Sequence, residues 1–365
     1  MRPRQTRVVP WIVATLLFAG QLAQPAAAVD PSRERIYFAR ITNPQGTFAI
    51  APDGSGRQSD PCPGDRTHGG APRGVLRIEA TGGTFPAHGE SDITYDQPIS
   101  QLFARDESCA SPIQLTNLPA GYRLVSARWS LDGRRVAFGA LRYGATSELM
   151  EQGLYAGDVD ASCTVSVCLL QNVHLAVSLP LEPVANQDTS DGLTAYYEYW
   201  VTASWSSDGR RVAFQRGAAP STSGLPGIYV ADLGPIGSTA TVVATRLTIA
   251  NAAAQPFDPA FSTVAGDDRI AFVQLSSTKS CYRNDIFVVA AAGGTAIQVT
   301  TPKTANVCQL ARPEWSPDGL SFAFDAVPLS LAGQGIYRIA ADGSSKAVLL
   351  AFDKGVFYAV PKWRR

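Results

Sequence analysis

His88, Glu90, Asp92 and Asp96 fall within one stretch, "FPAHGESDITYD" (Phe85–Asp96). Their side chains are of the kinds that hold a metal ion or exchange a proton. Imidazole and carboxylate donors so close in sequence are one candidate for such chemistry. The stretch is also rich in small polar residues, and a solvated loop accounts for it more simply. His68 and His174 complete the histidines, and all three fall in expected loops or insertions. Three scattered histidines do not make the ring of ligands that a metal-dependent lyase would need around an axis. Six cysteines without a C-x-x-C do not read as zinc. No G-x-S-x-G, H-E-x-x-H, phosphate-loop or dinucleotide glycine pattern occurs. No cofactor, no metal and no catalytic set is expected from these residues.

A second cluster is aromatic. "AYYEYW" (Ala195–Trp200) holds Tyr196, Tyr197, Tyr199 and Trp200, and Phe257, Phe357 and Tyr358 occupy comparable places before other strands. Such rings give a large contact area with a polar handle, which suits a protein interface or the face of a sugar. Alternate residues of a strand could equally be core. Glu198, Asp258 and Glu314 are the carboxylates that would have to converge if the chain were a hydrolase or lyase.

The elements that must carry these residues are written in a repeat. "SARWSLDGRRVAFGA" (Ser126–Ala140), "TASWSSDGRRVAFQR" (Thr202–Arg216) and "RPEWSPDGLSFAFDA" (Arg312–Ala326) each place Trp-Ser-x-Asp-Gly before a short alternating apolar run. The spacing predicts two strands around a tight turn. Asp132, Asp208 and Asp318 bond their own backbone there, and Gly133, Gly209 and Gly319 accept positive φ. One carboxylate per tip is too few oxygens for calcium. A third strand follows each copy at "GLYAGDVD" (Gly153–Asp160), "GIYVADLG" (Gly227–Gly234) and "GIYRIAADG" (Gly335–Gly343). A weaker fourth ends near "TRLTI", "IQVTT" or "AVLLAF".

Two further copies are degenerate. "DPAFSTVAGDDRIAFVQ" (Asp258–Gln274) puts Phe261 where tryptophan stood, and "GVFYAVPKW" stops at Trp363 with a first strand alone. The missing strands stand at the other end of the chain, "ERIYFAR" (Glu34–Arg40) as a second strand and "GTFAIAPDGSG" (Gly46–Gly56) as a third. A row of four-stranded sheets leaves two open edges unless it closes, and one sheet built from both chain ends closes it. Anchors at 129, 205, 261, 315 and 363 lie 76, 56, 54 and 48 residues apart, against about 40–50 for a propeller repeat. The longest step therefore predicts an insertion, at about 161–199. "ISQLFARDESCASPIQLTN" (Ile99–Asn117) supplies the third and fourth strands of one more blade. The reading is an all-β, six-bladed β-propeller closed by its N- and C-terminal strands. A hidden copy within Cys62–Ala87 would make seven.

W-S-x-D-G followed by "rVAF" and "gIYv" resembles the WD40-like repeats of the TolB-type β-propeller over most of Glu34–Trp363. The resemblance implies that Trp129, Trp205, Trp315 and Trp363 are architectural and wedge between blades. It implies a periplasmic setting in a Gram-negative envelope and a lipoprotein partner. The family's namesake carries an α/β domain before its propeller. Here the first strand starts only six residues after the expected cleavage (29→35), so the reading is a TolB-like propeller without that domain.

Arg2, Arg4 and Arg7, the apolar run Val8–Gly20 and "QPAAAVD" read as a signal peptide cut between Ala28 and Val29. The run is shorter than the roughly 20 residues of a spanning helix. No membrane span is expected after cleavage. Losing residues 1–28 moves the formal charge from +0 to −3 (28 basic against 31 acidic). That balance argues against a nucleic-acid partner. Cys62, Cys109, Cys163, Cys168, Cys281 and Cys308 all remain, an even number suited to an oxidising compartment. Fifteen pairings are open; joining neighbours gives Cys62–Cys109, Cys163–Cys168 and Cys281–Cys308. The function expected is a non-enzymatic, exported binding module, periplasmic or extracellular, whose partner is an envelope or extracellular protein or a glycan. The alternative is a carbohydrate-active hydrolase or lyase using the propeller funnel.

Overall fold

The computed structural model describes residues 34–42, 44–62, 65–66, 75–87, 95–105, 109–144, 149–160, 166–179, 203–216, 227–247, 249, 256–277, 283–329 and 332–364. The expected signal peptide lies outside them. The described chain forms six four-stranded antiparallel sheets, a six-bladed β-propeller. Among the described residues, no helix is long and apolar enough to cross a membrane.

The blades follow the repeat. β8 (Tyr122–Trp129), β9 (Arg135–Tyr143), β10 (Leu149–Asp158) and β11 (Gln171–Leu179) form one. The next is β12 (Ser204–Trp205), β13 (Arg211–Arg216), β14 (Gly227–Asp232) and β15 (Thr245–Arg246). The Phe261 copy gives β16 (Pro256–Phe261), β17 (Arg269–Ser277), β18 (Arg283–Ala290) and β19 (Ile297–Gln298). The Trp315 copy gives β20 (Val307–Trp315), β21 (Ser321–Pro328), β22 (Gly335–Ala340) and β23 (Val348–Ala351). β11 lies inside the stretch expected as an insertion and is the fourth strand of its blade; 161–165 and 180–202 lie outside the described residues.

The count is six and not seven. β4 (Asp65–Arg66) and β5 (Val75–Ala87), from the stretch that could have hidden a further copy, are the first two strands of the blade completed by β6 (Tyr95–Arg105) and β7 (Ile113–Gln114). The closing blade joins both chain ends. β24 (Tyr358–Arg364) pairs antiparallel with β1 (Arg35–Arg40), Ile36 facing Trp363 and Tyr37 facing Lys362; β2 (Gly46–Ile50) and β3 (Gln58–Ser59) complete it.

The second strands β9, β13, β17 and β21 are covered on both faces by neighbouring blades, so they read as near-continuous apolar runs. Val136, Ala137 and Phe138 are fully buried, as are Ile270, Ala271 and Phe272. One aromatic pair recurs directly across the second and third strands. Phe138–Tyr155, Phe214–Tyr229, Phe272–Phe287, Phe324–Tyr337 and Phe38–Phe48 stack with centroids 5.4, 5.9, 5.7, 5.5 and 5.9 Å apart. Such cross-strand aromatic pairs fix register.

The Asp-Gly tips are turns with one shared hydrogen-bond scheme. The amides of Arg134, Arg210 and Leu320 each donate to the preceding Asp132, Asp208 or Asp318 at 3.0 Å. Ser130, Ser206 and Ser316 donate to the same carboxylates at 2.6, 2.5 and 2.5 Å. Gly133, Gly209 and Gly319 take φ of 68, 66 and 71°, where a Cβ would be strained.

Successive blades are joined through the anchors. Trp205 and Trp315 donate their indole N–H to the main chain of the preceding blade, at Arg128 (3.3 Å) and Ala260 (2.9 Å). Arg135, Arg211 and Arg269, each opening a second strand, lie over the aromatic anchor of the following blade. The distances to the Trp205, Phe261 and Trp315 centroids are 5.2, 5.6 and 4.9 Å. Cys62 and Cys109 are disulfide-bonded, tying the segment after β3 to the loop after β6. Cys168 and Cys308 are also in disulfides, with Cys163 and Cys281 outside the described residues.

Candidate functional site: the axial cavity

The first strands of the blades lie innermost, so residues at fixed offsets before each aromatic anchor meet around the axis. Immediately before the anchors stand Arg128, Ser204, Ala260, Glu314 and Lys362; three places before stand Asp258 and Arg312. All seven, with Arg364, line one cavity holding about 710 Å³ of empty space.

Two bulges shape its wall. β16 shifts register between Phe257 and Ala260, and β20 between Ala311 and Glu314. At these bulges Asp258 and Arg312 take φ of 50 and 52°, although each precedes a proline, where an extended backbone is favoured. Non-glycine residues held this way cost about 1–3 kcal/mol each. They are locked to one another, since the Arg312 amide donates to Asp258 Oδ2 at 2.9 Å. Gln215 accepts from the Asp258 amide at 3.2 Å.

The charges are organised in pairs. Arg312 grips the fully buried Asp325 with two parallel bonds, Nε to Oδ1 at 2.8 Å and Nη2 to Oδ2 at 2.7 Å. Gln334 donates to the same carboxylate. Burial alone would lower the Arg312 pKa, but Asp325 outweighs it and the net shift is upward. Glu314 accepts from Lys362 Nζ at 3.2 Å and from Arg364. Burial pushes the Glu314 carboxyl up; Lys362, Arg364 and Arg128 together overcome it and hold it well below the carboxylate range. Asp258 goes the other way. Desolvation dominates and raises its pKa against the Arg312 amide and the charges of Arg312 and Lys362.

Of the residues singled out in the sequence, Asp258 and Glu314 do converge on one cavity. Tyr196, Tyr197, Glu198, Tyr199 and Trp200 lie outside the described residues, as do His68, His88, Glu90 and Asp92. Phe357 is 40 % exposed. Tyr358 is core rather than contact surface. It is 1 % exposed, edge-on to Phe38 at 5.3 Å and Phe48 at 6.2 Å, and its hydroxyl donates to Asp353 at 2.5 Å. It opens β24, whose pairing turns the ring into the blade. Phe257 is half-buried against the core. His174 sits on β11 with Nδ1 2.7 Å from the Asn172 carbonyl. Among the described residues no three His, Cys, Asp or Glu side chains group as metal donors. Sequence reasoning missed Arg128, Arg312, Lys362 and Arg364. The signal was present: the first three stand at the same offsets from their anchors as the residues it noticed.

The fold has solved relatives. TolB from Acinetobacter baumannii superposes with a TM-score of 0.52 at 15 % identity, covering 90 % of this chain and 66 % of that one. This is a TolB-like six-bladed propeller. A structure assigned to TolB of Agrobacterium tumefaciens is similar over 89 % of this chain and 90 % of its own, at 13 % identity and a TM-score of 0.49. The chain thus spans just under two thirds of the Acinetobacter protein. No protein-family profile and no curated protein sequence matches it.

Proposed function

We propose that this TolB-like propeller is an exported, non-enzymatic binding module that receives an acidic group of a partner protein at its axial cavity. The observation that carries this reading is a small excess of positive charge there. Arg128, Arg312, Lys362 and Arg364 stand against Asp258, Glu314 and the Asp325 that Arg312 grips, four cations against three carboxylates. Arg312 is held rigid by Asp325 while 37 % of its side chain stays exposed. With Nε and Nη2 held by Asp325, Nη1 is the donor that this fixed guanidinium can offer to an acidic group. The Glu314 carboxylate is tied to two cations and kept ionised, which suits a positioning charge better than a proton donor. Disulfides at Cys62–Cys109, Cys168 and Cys308 support export to an oxidising compartment.

The carbohydrate-active reading keeps one observation in its favour, the two carboxylates in one cavity, one of them with a raised pKa. One experiment separates the two. Protein starting at Val29 is crosslinked in envelope extract of its own host, beside Arg312→Ala and beside a variant with Tyr196, Tyr197, Tyr199 and Trp200 changed to alanine. A protein captured by the wild type and lost with Arg312→Ala supports the axial binding site. Retention or cleavage of soluble polysaccharide without protein capture replaces it with the carbohydrate reading.

A further inference from the structure

Among the described residues, arginines of the chain fill three blade junctions, and none fills the junction onto the closing blade. Arg135, Arg211 and Arg269 each open a second strand and lie over the aromatic anchor of the next blade. Each also meets a carboxylate: Asp158 at 3.2 Å, Asp268, and Asp267 at 2.7 Å. At the junction between the β20–β23 blade and the closing blade, the equivalent residue is Ser321. The equivalence rests on backbone geometry. The amides of Arg135, Arg211 and Ser321 donate to Ser130, Ser206 and Ser316 at 2.9, 2.9 and 2.8 Å.

The anchor here is Trp363, and it differs in a second way. Its indole N–H turns to the Glu34 carboxylate at 3.0 Å, whereas Trp205 and Trp315 reach the main chain of the preceding blade. Among the described residues no cation lies over its ring. Where the arginine would run there is a cleft of about 1040 Å³ of empty space, with Trp363, Ser321, Glu34, Asp53, Asp318 and Arg338 among its walls. Its three carboxylates outnumber its two guanidiniums, Arg338 and Arg35.

We infer that this cleft, on the Asp-Gly tip side of the last junction, receives an arginine side chain from a partner polypeptide. The other junctions show the chemistry that the place takes: a guanidinium over an aromatic ring, an indole in two of the three, and paired with a carboxylate. Trp363 is only 3 % exposed, so the incoming group meets the ring at the cleft wall and Asp53 and Asp318 beyond it. This site is separate from the axial cavity and has the opposite charge preference. It holds even if the axial reading fails.

The test uses the exported protein with its tryptophans labelled with nitrogen-15, the Trp363 indole signal being assigned with Trp363→Phe. N-acetyl-arginine amide is titrated, with N-acetyl-citrulline amide as a neutral probe of the same shape. The expected result is a saturable shift of the Trp363 signal with arginine, and at least about fivefold weaker binding of citrulline. Ser321→Arg fills the cleft from within, so it should abolish the shift and raise Tm by about 1–3 °C. Should Ser321→Arg fail to fold, Asp53→Asn, at an exposed loop position, should weaken arginine binding several-fold. An unmoved Trp363 signal, equal binding of citrulline, or an Asp53→Asn protein that binds as the wild type does would each overturn the inference.

Discussion

Replacing Glu314 with glutamine should loosen the closure of the ring while leaving each blade intact. Glu314 stands on β20, and its partners Lys362 and Arg364 stand on β24, the strand that the C-terminus lends to the closing blade. The carboxylate therefore latches the β20–β23 blade to the closing blade. Its side chain is 14 % exposed, with Lys362 at 15 % and Arg364 at 7 %. Removing one member of a buried ion pair costs about 3–5 kcal/mol. The three side chains keep between 7 % and 15 % exposure, so we expect the lower part of that range, about 3 kcal/mol. At about 2.1 cal/mol/K per residue, a chain this long loses about 1.4 °C of Tm per kcal/mol, giving a drop of about 4 °C. The pH dependence follows from the direction of the shift. The folded pKa lies below the unfolded value of 4.5. The stabilisation is fully present above that value and fades as pH falls toward the folded pKa. Thermal unfolding of wild type and Glu314→Gln should thus differ most at pH 7 and converge below pH 4. Equal Tm values at pH 7, or a difference that stays constant down to pH 3, would refute the latch.

Three further outcomes follow from the same structure. Changing Cys62 and Cys109 together to serine opens a loop of sequence separation 47, which should cost about 4 kcal/mol by loop entropy, read as a lower denaturant midpoint. Deleting residues 362–365 removes the register pairs of Ile36 with Trp363 and Tyr37 with Lys362, and should lower the melting temperature of the whole propeller in one transition; unchanged melting would mean that the two chain ends do not share a blade. Asp258→Asn keeps an oxygen for the Arg312 amide and removes a charge that burial disfavours. Because the folded pKa is raised, the wild type loses stability as pH rises from the unfolded value through the folded one. The asparagine variant should be the more stable at pH 7 and lose that advantage at pH 3.

The architecture was legible because it is written several times. Trp-Ser-x-Asp-Gly needs only local physics, a turn that wants positive φ and an apolar strand covered on both faces, and each copy repeats that demand. Even the split blade could be read, since a first strand without a second at one end matches a second without a first at the other. The blade of β4–β7 was read only in part. Its β4 has two residues and no tryptophan anchor, so hydrophobic alternation had little to show there. Tyr358 stayed open between rim and core for a related reason. An aromatic just ahead of a strand resembles a rim residue until pairing with β1 turns it inward.

The axial site was harder, because its chemistry lies in departures from the repeat. Position by position before the anchor, the copies place Arg128, Ser204, Ala260, Glu314 and Lys362; no single copy looks unusual. Only the packing of adjacent blades brings Glu314 against Lys362 and Arg364, 48 and 50 residues further along the chain. Likewise, nothing local marks Asp258 and Arg312 as left-handed before proline. Their conformations are imposed by two bulges that face each other across a blade junction. Ser321 makes the same point by omission: it is ordinary in its own strand and conspicuous only beside Arg135, Arg211 and Arg269. In a repeat fold the shared residues carry stability. Residues that break the shared pattern at aligned positions are where a function distinct to this chain is best sought.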